Sequence, residues 1–369
     1  MRQQTSATTE TQTKGRKIID FSGKTLSVGI DVHQKDYQVG VIHEGVCLGN
    51  HRMPASAAKL IDHFHTRYPG ATIRCAYESS AWGFNLQRQL TAAGIECIVV
   101  NAADVGTTDK ERRRKTDQRD AMKIARDLES NRLQAIFVPD EEIQKQRSLI
   151  RYRKRVVGDI NRSKNRIKSL LKYQGIDIPE KFGGKSNWSQ NFMNWVEQEA
   201  KKDRLLEDVL LLMLEQVKGL RGLLMQVERK LREMMKGARY NDNMKLLTSI
   251  VGVGPTTSAL FLLEIGDVRR FKGFDRLNNY VGFCPDTYSS GETERDLGIT
   301  RRRHKQLRTA LIEAAWQAKR TDPALLETYL ELIKRMDSNE AIIRIARKLL
   351  RRMRAVLISG KPYQKGVIA

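Results

Sequence analysis

Short runs of alternating apolar and polar residues open the folded part of the chain. Residues 25 to 31, 36 to 43 and 46 to 51 each predict a strand, and DYQVGVIH (36–43) alternates with a period of two. His43-Glu44-Gly45 between the second and third runs predicts a hairpin turn. In SAAKLIDHFHTRY (56–68) the apolar spacing becomes helical, and Pro69-Gly70 closes that helix. TIRCAYE (72–78) predicts a fourth strand. SAWGFNLQRQLTAAG (80–94) predicts a helix ending at Gly94, and IECIVVN (95–101) a fifth strand. A loop with the basic run KERRRK (110–115) leads into KTDQRDAMKIARDL, whose pattern is helical again.

Three strands, a helix, a strand, a helix, a strand and a helix is the element order of a ribonuclease-H-like α/β domain. In that fold the first and fourth strands lie side by side. Beyond residue 140 the texture is helical. Residues 145–172 carry eleven Lys or Arg and one acid, Asp159, while Leu149, Val156, Ile160, Ile167 and Leu171 form one apolar stripe. GIDIPEKFGGKSNWSQ (175–190) reads as a loop. Leu-rich segments within 191–236 predict antiparallel helices or a coiled coil that could serve as an oligomer contact. In LLTSIVGVGPTTSALFLLEIG (246–266), Gly252 and Gly254 flank Val253 between two helices. This pattern matches a helix-hairpin-helix, whose turn offers backbone N–H groups to a phosphate. Helices continue to about residue 358.

Charge changes the picture. The 369 residues carry a formal net charge of +23, which makes a polyanion the expected partner. No window has the uninterrupted apolar length needed to span a bilayer. The polar N-terminal stretch lacks a signal-peptide core and reads as a tail over 1–24. Cys47, Cys75, Cys97 and Cys284 form no CxxC pair and share no ligand spacing with the histidines, so reduced thiols in a prokaryotic cytoplasm are expected. The domain boundaries expected are 25–172 for the α/β domain with its basic helix, 173–243 for a helical linker, and 244–369 for a C-terminal domain. One-sided charge over 145–172 predicts phosphate contact, with Arg153 among the contacts.

Within this basic chain, four carboxylates stand at informative places. Asp31 ends the first strand and Glu78 ends the fourth. Asp117 and Asp120, three residues apart, share one face of the following helix. Two strand ends and one helix face can gather four oxygen ligands around Mg²⁺, or alternatively Mn²⁺. His33, two residues after Asp31, fits a hydrogen-bonding or strand-face role better than a ligand's. Tyr288-Ser289-Ser290-Gly291 reads, by spacing alone, as an ordinary loop.

The chain resembles the DEDD-type transposases of bacterial insertion sequences, the group that includes the Piv DNA invertases. GIDVHQ (29–34), AYESSAWGFNLQRQL, KTDQRDAMKIA, LTSIVGVGPTTSALFLLEIGD and YVGFCPDTYSSGETERDLGITRRRHKQLRTALIEAA carry the likeness, from about 25 to 355. The resemblance implies a RuvC-like N-terminal domain, a coiled-coil middle and a C-terminal transposase domain. It implies Mg²⁺ held by Asp31, Glu78, Asp117 and Asp120, and recombination through a serine–DNA phosphodiester. The serine before glycine is Ser290, with Ser289 as the fallback. It further implies double-stranded donor and target DNA, a bridge RNA pairing with both, and a homo-oligomer from dimer to tetramer. One departure stands out: where the family usually carries a Ser/Thr-Lys-x-Gly pattern, this chain has Thr300-Arg301-Arg302-Arg303, so an arginine replaces the glycine. The rival functions are a metal-dependent Holliday-junction resolvase, an RNA-processing nuclease, and a non-enzymatic nucleic-acid-binding protein.

Overall fold

The computed structural model describes residues 20–106, 116–183, 187–290 and 293–365, with 286–290 and 293–297 described by backbone alone. KERRRK (110–115), the tail to residue 19 and Gly291 lie outside the described residues. Contacts divide the chain into two compact units that meet between Val138 and Pro139. The basic helix expected with the α/β domain therefore packs within the second unit.

In the first unit, strands β1 (Thr25–Val32), β2 (Asp36–His43), β3 (Val46–Pro54), β4 (Thr72–Glu78) and β5 (Glu96–Val100) form a mixed sheet in the order β3-β2-β1-β4-β5. β1–β2 and β2–β3 are antiparallel, while β1–β4 and β4–β5 are parallel. The predicted adjacency of the first and fourth strands is thus present. Helices α1 (Ala57–Arg67) and α2 (Asn85–Ala92) cover one face, where Leu26, Val28, Ile30, Leu60, Phe64 and Leu90 are buried together. Ser56 caps α1 by accepting from the Lys59 N–H. α2 starts five residues later than its apolar pattern suggests. Gly83 sits at φ +68°, and its carbonyl accepts from the Tyr77 hydroxyl, so 80–84 form turns instead. Helix α3 (Asp117–Glu129) lies on the opposite face, packing Ile124 and Leu128 against Ala76 and Val100.

The second unit is helical apart from one hairpin. The basic helix α4 (Glu141–Tyr173) is capped by Asp140, whose carboxylate accepts from the Ile143 N–H at 2.7 Å. α5 (Gln190–Ala200) and α6 (Arg204–Met235) follow. α4 and α6 run antiparallel within the chain: Arg153 pairs with Glu228, and Ser163 bonds Gln216. The segment read as a loop, 175–190, contributes Phe182 and Trp188 to the core between these helices. A second core gathers α7 (Asn241–Thr248), α8 (Pro255–Ile265), α9 (Phe274–Val281), α10 (Lys305–Thr321), α11 (Pro323–Ile333) and α12 (Ser338–Ser359). Gly252, between α7 and α8, has φ +86°, and an added Cβ would lie 2.7 Å from the Ala314 carbonyl oxygen on α10. Close helix packing alone requires that glycine. Among the described residues, no helix is long and apolar enough to cross a membrane.

Candidate active site

Two glycines decide where the carboxylates sit. Gly29 on β1 and Gly40 on β2 are cross-strand partners. Both face α3, which lies so close that a Cβ on Gly29 would be 2.0 Å from the Ala121 carbonyl oxygen and 2.5 Å from the Ala125 nitrogen. A Cβ on Gly40 would meet the Met122 sulfur at 2.8 Å. The bare backbone of the two strands forms a trough for the helix. Side chains alternate along a strand, so Asp31 shares the α3 face with Gly29. Glu78 shares that face with Ala76, and the parallel register that pairs Ile30 with Tyr77 continues to Asp31 and Glu78. Both acids therefore emerge at the carboxyl ends of two neighbouring inner strands, where α3 begins with Asp117 and, one turn on, Asp120.

His33 stands between two of the acids and takes the hydrogen-bonding role its spacing suggested, toward Asp31. Its Nε2 lies 3.2 Å from an Asp31 carboxylate oxygen and 3.6 Å from one of Asp117. Asp31, His33 and Asp117 each offer a ligand atom within 4.8 Å of the others. Burial raises the Asp31 carboxyl above the usual carboxylate range, and the charges of Asp117 and Asp120 push the same way while His33 opposes them. Asp120 is therefore within electrostatic reach of Asp31. Acids crowded until they repel one another, with oxygen donors and one imidazole, fit a divalent cation.

The serine lies in the second unit. Instead of a loop, residues around it form a hairpin of β6 (Pro285–Ser290) and β7 (Thr293–Ile299), with Ser290 paired to Thr293 at the end of β6. The side chains of Ser289 and Ser290 lie outside the described residues. At the hairpin's foot, the Thr300 N–H donates to the Cys284 carbonyl, and the Arg308 guanidinium donates to the carbonyls of Gly282 (2.7 Å) and Thr300 (2.8 Å). Gly282 has φ +91°, and an added Cβ would lie 2.4 Å from the Arg303 Cβ. Arg303 thus packs on a residue without a side chain.

Sequence patterning passed over Glu264. It interrupts the apolar run of α8 and is 1% exposed. Arg151 of the basic helix donates to both its carboxylate oxygens at 2.7 Å. Arg147 donates to the Leu263 and Glu264 carbonyls. His304, which caps α10 by accepting the Leu307 N–H on Nδ1, places Nε2 3.3 Å from Glu264. An acid inside a continuous apolar helix is the signal for such a hub, because buried charge requires partners.

Burial alone would raise the Glu264 carboxyl, but Arg151 and His304 hold it at about 2. A carboxylate depressed from 4.5 contributes about 3 kcal/mol, present above the unfolded value and lost as pH falls toward 2. Glu264→Gln is expected to melt well below wild type at pH 6 and to lose that difference between pH 4.5 and 2. Thermal melts across that range check it.

A transposase model, DEDD_Tnp_IS110, matches residues 28–174, which hold all four carboxylates and the basic helix. The model of the transposase IS116/IS110/IS902 family matches residues 244–330, which hold Glu264, the hairpin and His304. The chain is 28% identical over 311 residues to the y4qE protein of Sinorhizobium fredii, covering 82% of this chain and 74% of the relative. It is 22% identical over 302 residues to the transposase of insertion sequence element IS1533 from Leptospira borgpetersenii, covering 80% and 85%. It is 26% identical over 260 residues to the IS1111A transposase of Coxiella burnetii, covering 68% and 69%.

Proposed function

We propose a reaction course for this chain, which carries the two domains of the IS110/IS116/IS902 transposases and is a DNA transposase: strand cutting and rejoining through a serine–DNA phosphodiester at a Mg²⁺-dependent DEDD site. The observation that carries the reading is the meeting of Asp31, Asp117 and His33 within 4.8 Å, with Glu78 ending the neighbouring strand and Asp120 in electrostatic reach of Asp31. The strand order supports a ribonuclease-H-like class for the first unit. Asp31, Glu78, Asp117 and Asp120 hold the cation, which supplies positive charge to the scissile phosphate. His33 donates to Asp31 and orients it. The serine hydroxyl attacks phosphorus: one O–P bond forms, the bond to a 3′-oxygen breaks, and the hydroxyl proton ends on that oxygen. Covalent capture conserves the phosphodiester for rejoining without ATP.

Ser290→Ala is expected to remove the covalent protein–DNA adduct seen on denaturing gels. Survival of the adduct in both Ser290→Ala and Ser289→Ala would reject the serine assignment. Cleavage without any adduct, needing only the four acids, would favour the hydrolytic resolvase.

DNA and a bridge RNA are the polyanions assigned to the basic faces, and a dimer to tetramer the working assembly, with the α4–α6 pair as its coiled coil. Of the basic helix, Arg147 is buried, while Arg151 and Arg153 are held in ion pairs with Glu264 and Glu228. Lys154, Arg155, Arg166 and Lys172 are exposed, and the spacing of Arg155 and Arg166 puts them on one face. The double variant Arg155→Ala/Arg166→Ala is expected to weaken nucleic-acid binding and to flatten the salt dependence of log K by about two. Arg153→Ala, which breaks the bond to Glu228, is expected to lower stability and leave that slope unchanged. The turn between α7 and α8 is assigned to a helix-hairpin-helix phosphate contact. Support comes from Arg232, Lys236 and Lys245, which line the adjoining groove together with Glu228 and the apolar Leu231, Met235 and Met244.

A further inference from the structure

We propose that Glu264 and His304 are positioning residues that set the reach of the serine-bearing hairpin; this rests on the serine reading above. The bonds described above tie the hairpin to the core at its foot. The five steps of β6 from Pro285 to Ser290, at about 3.3 Å each, place the serine roughly 17 Å along the strand. A small rotation at the foot therefore moves the serine by a much larger distance than it moves the foot. Catalysis that depends on near-attack geometry loses about 10²-fold for a displacement of about 1 Å.

Two anchors hold the foot. Arg308 joins the carbonyls on either side of the hairpin, Gly282 before β6 and Thr300 after β7. His304 fixes the short link from β7 into α10. Its backbone N–H donates to the Tyr280 carbonyl, its ring lies 5.7 Å from the Tyr280 ring, and its Nε2 reaches Glu264. Since the Leu307 N–H donates to Nδ1, the ring hydrogen belongs on Nε2, directed at the carboxylate. Glu264 is itself fixed by the two-oxygen fork from Arg151. A buried carboxylate thereby ties the basic helix to the hairpin's foot. A helix cap needs only an acceptor for Leu307; the second reach, to a buried acid, supplies orientation.

The capping and positioning roles separate in one substitution. Asparagine carries its amide oxygen in the place of Nδ1, so His304→Asn keeps the α10 cap and stops short of Glu264. Glu264→Gln leaves Arg151 beside a neutral group and tests folding as much as position. His304→Asn is therefore the deciding variant, measured in the full-length protein with donor and target duplex DNA, the bridge RNA and Mg²⁺.

The expected result is a melting temperature within a few degrees of wild type, DNA affinity within about twofold, and adduct formation at saturating DNA slowed at least tenfold. Amide exchange at Thr300 should rise while that at Leu307 stays protected. A wild-type adduct rate in a folded His304→Asn protein overturns the inference, as does an unchanged Thr300 exchange rate. An absent adduct in the wild-type protein overturns the serine reading instead, which separates the two failures.

Discussion

Asp31→Ala and Asp117→Ala are each expected to reduce metal-dependent strand cleavage by about 10³-fold while leaving the protein folded. Burial raises the Asp31 carboxyl, and the nearby charges of Asp117 and Asp120 push it the same way. An acid held against burial and like charge lowers stability when ionised, so its removal does not weaken the fold. Asp117 is half exposed and starts a helix whose hold on the sheet comes from Ala121, Ile124 and Leu128 further along. Circular dichroism melts beside a cleavage assay over a Mg²⁺ series check both halves. A large fall in melting temperature would show that the acids serve the fold.

Gly29→Val is expected to be the most damaging single change to the first unit. The new Cβ would fall 2.0 Å from a backbone oxygen of α3, and no side-chain rotation relieves that. Overpacking of this kind costs about 3 kcal/mol or more, and it drives α3 away from β1. Asp117 and Asp120 move with the helix, so cleavage fails even in the molecules that remain folded. Gly222→Ala in α6 is the control: nothing lies within 4 Å of its added Cβ, and a modest gain of about 0.5–1 kcal/mol is expected. Urea unfolding of the three proteins, with Mg²⁺-dependent cleavage alongside, separates the packing effect from a general loss.

Much of the first unit is legible in the chain because its sheet is buried in a regular pattern. DYQVGVIH and TIRCAYE become β2 and β4 with the bounds their patterns suggest. β3 runs three residues beyond its apolar run, since pairing with β2 carries Arg52, Met53 and Pro54 along. The neighbouring positions of Asp31 and Glu78 follow from the strand order. The glycine trough was also written in the sequence. A glycine within each of two adjacent strands signals close backbone approach, although only the register shows that Gly29 and Gly40 face each other.

Tertiary context accounts for the rest. β6 and β7 hold no alternating apolar pattern, and the anchors of their foot, Arg308 and His304, come from a later helix. The nearness of His33 to Asp31 is local to the chain, but only the approach of α3 brings it beside Asp117 as well. The charge of residues 145–172 signals a polyanion partner but conceals that Arg147, Arg151 and Arg153 turn inward. Charge counted along a helix cannot separate a ligand-facing arginine from one that anchors the fold.

The central claim is that carboxylates from β1, β4 and α3 share a divalent cation. Anomalous diffraction from crystals of the wild-type protein soaked in Mn²⁺ tests it most directly. The expected result is Mn²⁺ at ~2.1 Å from carboxylate oxygens of both Asp31 and Asp117, with the peak lost in Asp31→Ala. Mn²⁺ bound elsewhere, or no peak beside these two acids, would contradict it.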